Sequence, residues 1–203
     1  MLGVRVMTIK YPNGRLQHHH KGNQRLRQPI QHGNRGQQLE SLINDSNTYY
    51  LTREIAVIHK KPTPVQIVNV DYPKRSAAII KEAYFKQPST TDFNGIYKGR
   101  YLDFEAKETK NKTSFPLSNF HEHQIQHMKA CHKQQGITFV LISFSTLNRY
   151  FFLPGEVLFD FWDSQINNGR KSIPLKEIEA KGTEIALSYQ PRLDYLKAVD
   201  QYI

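Results

Sequence analysis

The fold is decided by the stretch TTDFNGIYKGRYLDFEAK, residues 90–107. Its last six residues alternate apolar and charged side chains, which predicts a strand with one buried face, since successive side chains of a strand point to opposite sides. The apolar face consists of Leu102, Phe104 and Ala106. The charged face consists of Asp103, Glu105 and Lys107, and Asp92 approaches it from a preceding strand or turn. The Lys98-Gly99 dipeptide predicts the turn of a hairpin that Phe93–Tyr97 enters.

The charged face of this strand permits two interpretations. Two carboxylates and a lysine close together suit a divalent metal and a water that attacks phosphate. Alternatively, the strand is half exposed and its charged face is solvated, because Glu-x-Lys is a short and common tripeptide. Both interpretations stay open on this stretch alone.

Composition narrows the class of protein. A chain of 203 residues with 38% hydrophobic and 23% charged residues predicts one globular domain. Its formal net charge of +10 favours a polyanionic partner, either nucleic acid or an anionic membrane surface. We find no apolar run near the roughly 18 residues of a membrane span, no signal peptide, and no long basic amphipathic helix. The single Cys131 excludes an intramolecular disulfide, which agrees with a cytoplasmic location.

Residues 1–33 differ from the rest of the chain. They are rich in Gly, Gln, Asn, His and Arg, contain almost no acids, and show no helical or strand period. We therefore predict a basic, disordered arm that touches phosphates or a protein partner. His18-His19-His20 gives no fixed geometry for a metal in such an arm. The ordered domain is predicted to span residues 34–203.

The order of predicted elements indicates an α/β fold with a mixed central sheet. A helix begins at Asn34, the predicted N-cap, and buries Leu39, Leu42 and Ile43. Strands are predicted at 54–61, 65–70, 137–143 and 150–153, and helices at 121–135, 174–179 and 192–202. Glu40 lies at the margin of the first helix's apolar stripe, where it is either solvated or directed toward the charged strand face.

Two further segments carry candidate residues. Residues 71–87 mix basic and aromatic side chains, which suits a nucleic-acid surface; a compatible alternative is a helical turn that packs Ala77, Ile79, Ile80 and Ala83 on the core. The helix at 121–135 carries four histidines without a companion pattern of acids or cysteines for zinc, so we expect them exposed or partly buried. Gly136 is predicted to end this helix, and Cys131 to pack within it.

Three further stretches carry a resemblance to a known family: AVIHKKPTPV at 56–65, YPKRSAA at 72–78 and the segment from Glu105 to Pro116. With Thr90-Thr91-Asp92 and Glu105-Ala106-Lys107, the chain from about Asn34 onward resembles the RecU-type Holliday junction resolvases of Gram-positive bacteria. The resemblance implies a restriction-endonuclease-like fold, a mixed central sheet flanked by helices, with a protruding stalk inserted at about residues 62–89. One departure from the wider superfamily is Thr91, where many members carry proline; it affects a turn residue and not a ligand.

The resemblance also implies the site residues. Catalytic roles fall to Asp92, Glu105, Lys107 and Glu40. The implied Mg2+ ligands are Thr90, Asp92, Glu105 and Gln124. The residues expected at DNA are Arg35, Lys60, Lys74, Arg75, Lys81 and Tyr84. Asp103 is left outside these sets, as an acceptor for Lys107 or a solvated carboxylate.

The function that follows is Mg2+-dependent resolution of four-way DNA junctions by paired symmetric nicks, in recombination and repair. A homodimer is implied, with the RecA recombinase and a branch-migration helicase as further partners. The competing hypothesis is a non-catalytic junction-binding protein that modulates a recombinase. The acids discriminate between the two, because carboxylates repel phosphate unless a cation lies between them.

Overall fold

The computed structural model describes residues 37–71, 78–86 and 90–203. A hairpin with a two-residue turn lies in its largest described sheet. Lys98 and Gly99 both have positive φ, 47° and 74°, the backbone that a tight two-residue hairpin turn requires. The turn joins β4 (Phe93–Tyr97) to β5 (Arg100–Thr109), which pair antiparallel with Phe93 opposite Phe104. The hairpin predicted from the sequence is confirmed.

The hairpin is part of a six-stranded mixed sheet. The strand order is β1 (Ala56–Lys60), β4, β5, β7 (Ile137–Phe144), β8 (Arg149–Pro154) and β10 (Thr183–Ile185). Only the β5–β7 pair is parallel among these neighbours, because α2 (Glu122–Lys133) lies between these strands in the chain and returns it to the same end of the sheet. The predicted mixed central sheet is confirmed.

Helices cover both faces of this sheet. On one face α1 (Gln37–Thr52) buries Leu39 and Ile43, and the C-terminal segment with α5 (Leu196–Val199) buries Tyr195. The other core is formed with α2, α3 (Gly155–Ile166) and α4 (Leu175–Lys181). The two cores share the central strands by alternation: Phe139 and Leu141 belong to the first, Val140 and Ile142 to the second.

Two smaller sheets complete the described structure. One pairs β6 (Ser114–Pro116) with β9 (Ser172–Pro174). The other pairs β2 (Val65–Asp71) with β3 (Ile79–Phe85). The helical alternative for residues 77–83 is wrong over its described part, because the β-branched run of β2 gives this segment a strand partner. The side chains of this second hairpin are mostly exposed, including Tyr84 (59%) and Phe85 (83%).

Two helix ends differ from the prediction. The residue with left-handed backbone after α2 is Gln135, at φ 64°, rather than Gly136, whose N–H donates to the Cys131 carbonyl at 3.0 Å. The closing helix begins at Leu196 rather than near residue 192, because the Arg192 carbonyl accepts the Ser188 N–H at 3.1 Å and Leu193 forms an isolated β-bridge with Leu187. Of the helices that the structure describes, none has both the length and the apolar character needed to cross a bilayer.

Candidate active site

The register of the central hairpin brings two carboxylates together. Because Phe93 lies opposite Phe104, the residue before β4 faces the residue after Phe104. The Asp92 N–H accordingly donates to Glu105 Oε2 at 3.1 Å, and the Ala106 N–H donates to Asp92 Oδ2 at 3.3 Å. Two acids that are 13 positions apart in sequence thus become direct neighbours.

Glu105 is fully buried and is held by two further side chains. Lys107, two residues along the same strand face, lies with Nζ 2.8 Å from Glu105 Oε1. Gln124, in the first turn of α2, donates from Nε2 to the same oxygen at 2.6 Å. The side-chain oxygen of Gln124 accepts the His121 N–H at 3.1 Å and so caps the start of α2. The contact from Gln124 to Glu105 is therefore made by its amide nitrogen.

The electrostatics of this pair favour a bound cation. Burial first, and then the negative charge of Asp92, raise the pKa of Glu105 from its ordinary 4.5 to about 8, although Lys107 acts in the opposite direction. A carboxylate that is disfavoured as an anion by burial and by a second carboxylate gains most from a divalent ion at its oxygens. The donor set therefore fits a metal such as Mg2+.

A cavity of about 430 Å³ adjoins Asp92. Glu40 from α1, Lys60 from the end of β1 and Thr90 all line it. Glu40 and Lys60 form an ion pair across it, with Glu40 Oε2 against Lys60 Nζ. Glu40 is thus paired with Lys60, with its side chain one-third exposed, and lines the same cavity as Asp92.

Asp103 occupies an unexpected environment. Both sequence-based alternatives for it were wrong, because Asp103 is fully buried and Lys107 pairs with Glu105 instead. Oδ2 of Asp103 accepts from Lys61 Nζ at 2.7 Å and from the Tyr101 hydroxyl at 2.8 Å, and Oδ1 accepts from the Thr91 hydroxyl. His127 Nε2 lies 3.2 Å from Oδ2. We call Asp103 and these four residues the Asp103 cluster.

Candidate metal donors lie in the Asp103 cluster and, with Cys131, beside it. Asp103, His127 and Cys131 bring their ligand atoms within 4.8 Å of one another. The Lys61 ammonium already balances the Asp103 charge, and burial, with the negative charge of Asp103, raises the pKa of Cys131, so its thiol stays protonated. The cluster is a hydrogen-bonded network around Lys61, and the Cys131 sulfur lies at its edge, 3.6 Å from His127 Nε2. The acid beside His127 comes from β5, so it is not part of the sequence pattern of α2.

The residues predicted at DNA are spread over two places. Lys60 lies at the cavity with Glu40, whereas Lys81 and Tyr84 lie on β3. Lys81 pairs with Asp71 on the neighbouring strand at 2.8 Å. Arg35, Lys74 and Arg75 lie outside the described residues, as do the predicted N-cap Asn34 and the predicted arm at 1–33.

Comparison with known proteins identifies the family of this chain. Holliday junction resolvase RecU of Lactiplantibacillus plantarum is 58% identical over 201 residues, 97% of each chain. The protein of the same name from Bacillus subtilis is 60% identical over 196 residues, 95% of this chain and 94% of the relative. Among solved structures, Archaeoglobus fulgidus Hjc, a Holliday junction resolvase, covers 73% of this chain and 95% of its own, with 11% identity and a TM-score of 0.42. That likeness is distant, and the assignment rests on the sequence relatives. A family model described as Recombination protein U matches residues 34–201, and the chain belongs to this RecU family.

Proposed function

We propose that this chain is a Mg2+-dependent endodeoxyribonuclease that resolves four-way DNA junctions by paired nicks. The observation that carries the proposal is the contact between Asp92 and Glu105, with Lys107 on the same oxygen as Gln124. The names of its relatives specify the junction as their substrate. The net charge of +10 suits a polyanionic substrate.

In the proposed site the oxygens of Asp92 and Glu105 would hold the metal, with Thr90 and Gln124 as further ligands. Mg2+ bound there would supply positive charge for the scissile phosphate and would lower the pKa of water. The Gln124 oxygen accepts the His121 N–H and has a second lone pair that it would offer to the metal. Thr90 lines the cavity beside Asp92 and is half-buried, with its hydroxyl 3.5 Å from the Thr91 carbonyl oxygen.

Lys107 is the proposed partner of the reacting phosphate. An ammonium is a donor only and cannot bind a metal, so its role is toward water or phosphate oxygens. Its side chain is 20% exposed while the Glu105 side chain is fully buried, so the ammonium is the accessible part of the pair. With Glu105 paired to a cation, Lys107 would be available to stabilise the negative charge that develops on the phosphorus-bound oxygens.

Glu40 and Lys60 extend the proposed site across the cavity. Their ion pair lies where DNA would approach Asp92. A DNA phosphate would compete with Glu40 for the Lys60 ammonium, so we propose Lys60 as a phosphate contact. Glu40, released from this ion pair, is proposed as a further acid near the metal. The exposed β2–β3 hairpin, with Lys81 and Tyr84, is proposed as the stalk that enters the junction. A second copy of the chain would supply the second nick.

The non-catalytic alternative explains the site less well. A pure binding protein has no use for a buried carboxylate whose ionised form is disfavoured beside a second acid. Such an arrangement costs folding free energy, and a cation at the site offsets that cost. A cleavage assay distinguishes this alternative from the proposed nuclease.

Asp92→Asn should abolish nicking of a four-way junction while binding of the junction persists. The neutral amide keeps the shape of the side chain but removes one of the two metal-attracting charges. The assay compares four-way junction, duplex and single strand, with and without Mg2+, and follows cleavage and gel-shift binding in parallel. Asp45→Asn, an exposed acid of α1, is the matched control and should cut at the parental rate. Cleavage by Asp92→Asn at the parental rate would show that the site is wrongly assigned, and a parent that binds but never cuts would favour the non-catalytic alternative.

A further inference from the structure

The Asp103 cluster lies beside the candidate active site and is not explained by it. A fully buried carboxylate is costly unless donors and a countercharge compensate it. Asp103 has both, since Lys61 supplies the charge and Tyr101 and Thr91 supply hydroxyl donors. The Lys61 side chain is itself only 16% exposed. The pair is therefore a built feature of the interior rather than a surface ion pair.

The cluster reaches Asp92 by two routes. Thr91, the neighbour of Asp92, donates its hydroxyl proton to Asp103 and accepts from Lys61 Nζ at 2.8 Å. The backbone N–H of Lys61 donates to the Asp92 carbonyl at 2.7 Å. The main chain is thus fixed on both sides of the Asp92 Cα, through the preceding side chain and through its own carbonyl.

The Asp92 carboxylate contacts β5 through the Ala106 N–H at 3.3 Å, a long hydrogen bond, and through the Glu105 side chain. Its position also depends on the main chain that carries it. Thr91 is only 3% exposed, and with Lys61 it lines the same cavity as Asp92. The elements that meet at Asp103 are the chain after β1, the chain before β4, β5 and α2.

We propose that Asp103 is a positioning residue that acts through Lys61 and Thr91 to set the place of Asp92, and thereby the affinity of the site for Mg2+. This inference rests on the proposed metal-dependent nuclease function. Residues that orient a metal ligand without touching the metal change metal affinity by about 10- to 100-fold when they are replaced. The same range is expected for the loss of the Thr91 hydroxyl.

The decisive variant is Thr91→Val, which removes the hydroxyl, keeps the side-chain volume and changes no charge. Mg2+ binding to the DNA-free full-length chain is measured by calorimetry, and the Mg2+ dependence of junction cleavage is measured beside it. Thr91→Val and Asp103→Asn should both weaken Mg2+ binding by about 10-fold or more. Thr91→Ser, which restores the hydroxyl, should bind Mg2+ as the parent does. Excess Mg2+ should recover cleavage in Thr91→Val.

The control is Tyr50→Phe, which loses a buried hydrogen bond to Asp194 (2.9 Å) in the core on the opposite face of the sheet. It should lower the melting temperature without changing Mg2+ affinity, which separates positioning from general destabilisation. Parental Mg2+ affinity in Thr91→Val overturns the proposal. So does a loss confined to Asp103→Asn, because the effect is then that of charge alone. A parent chain that neither binds Mg2+ nor cuts contradicts the proposed function itself, a result distinct from either of these.

Discussion

Glu105 is the residue whose environment most clearly departs from that of an ordinary surface acid. Its folded-state pKa, raised to about 8 by burial and by Asp92, means that the folded chain retains a proton that the unfolded chain releases above 4.5. The stability that this proton confers is fully present below pH 4.5 and is lost as pH rises toward 8. The metal-free protein should therefore lose stability over this window.

Glu105→Gln should remove that loss. We expect the melting temperature of the variant, relative to the parent, to rise steadily between pH 4.5 and about 8 in the presence of a chelator. Each pKa unit corresponds to about 1.4 kcal/mol, and each kcal/mol to about 2–4 °C in a domain of this size. Glu177→Gln, at a half-buried acid of α4 that pairs with Lys181, should show no such trend. A pH-independent difference for Glu105→Gln would contradict the raised pKa, and added Mg2+ should stabilise the parent at pH 8 more than the variant.

At the scale of elements, the β1–β4 pairing supports the site. Gly95 in β4 lies opposite Ile58 of β1, and a Cβ there would meet the Val57 carbonyl oxygen at 2.2 Å and the Ile58 Cα at 2.6 Å. Both are main-chain atoms, which cannot move aside as a flexible side chain would. Residue 95 must therefore be glycine for the two strands to approach this closely.

Gly95→Ala should destabilise the protein by about 1–3 kcal/mol, the usual cost of overpacking. Because β4 follows Asp92 directly and β1 leads to Lys61, the variant should also weaken Mg2+ binding. Urea unfolding measures the first effect and calorimetry the second. Ile96→Ala, at an exposed position of the same strand (58%), should change stability by less than about 0.5 kcal/mol. Parental stability in Gly95→Ala would mean that the two strands can separate at no cost.

The secondary structure of the β2–β3 hairpin depends on the pairing of its two strands. Its apolar residues, such as Ile79 and Ile80, were compatible with a helical turn on the core, yet they are exposed on a strand. The segment forms a strand because it pairs antiparallel with Val65–Asp71, and this pairing supplies hydrogen-bond partners for the backbone groups of both segments. Period alone does not distinguish a short strand from a helical turn in so short a run.

At the scale of the whole molecule, the excess of 28 basic over 18 acidic residues predicts a steep salt dependence of DNA binding. The logarithm of the binding constant should fall with the logarithm of salt concentration by about 0.9 for each phosphate contact. Lys81→Ala should reduce this slope by about one contact. This slope is measured by fluorescence anisotropy of a labelled junction over a range of salt concentrations, without divalent metal. Lys197→Ala, at a surface pair with Asp194, should leave the slope unchanged, and a flat salt response of the parent would exclude the basic residues as phosphate contacts.

Several features of this protein were determined by the sequence alone. The Lys98-Gly99 turn, the alternation along Leu102–Lys107 and the position of Asp92 before β4 are local, since they follow from allowed backbone angles and from the two-residue period of a strand. These features were enough to predict the hairpin, the apolar back of β5 and its charged front. They also supported the resemblance to the RecU family.

The surroundings of those charges were decided only by the tertiary structure. Asp103 and Glu105 share one strand face, yet one accepts from Lys61 and the other from Lys107 and Gln124. Lys107 is on the same strand as Glu105, but Lys61 and Gln124 come from segments 42 and 19 residues away from the acids that they contact. Only the packing of α2 and of the end of β1 against that face brings these two side chains within hydrogen-bond distance. The period of a strand assigns a side chain to a face, but the burial that sets its charge state depends on which element covers that face.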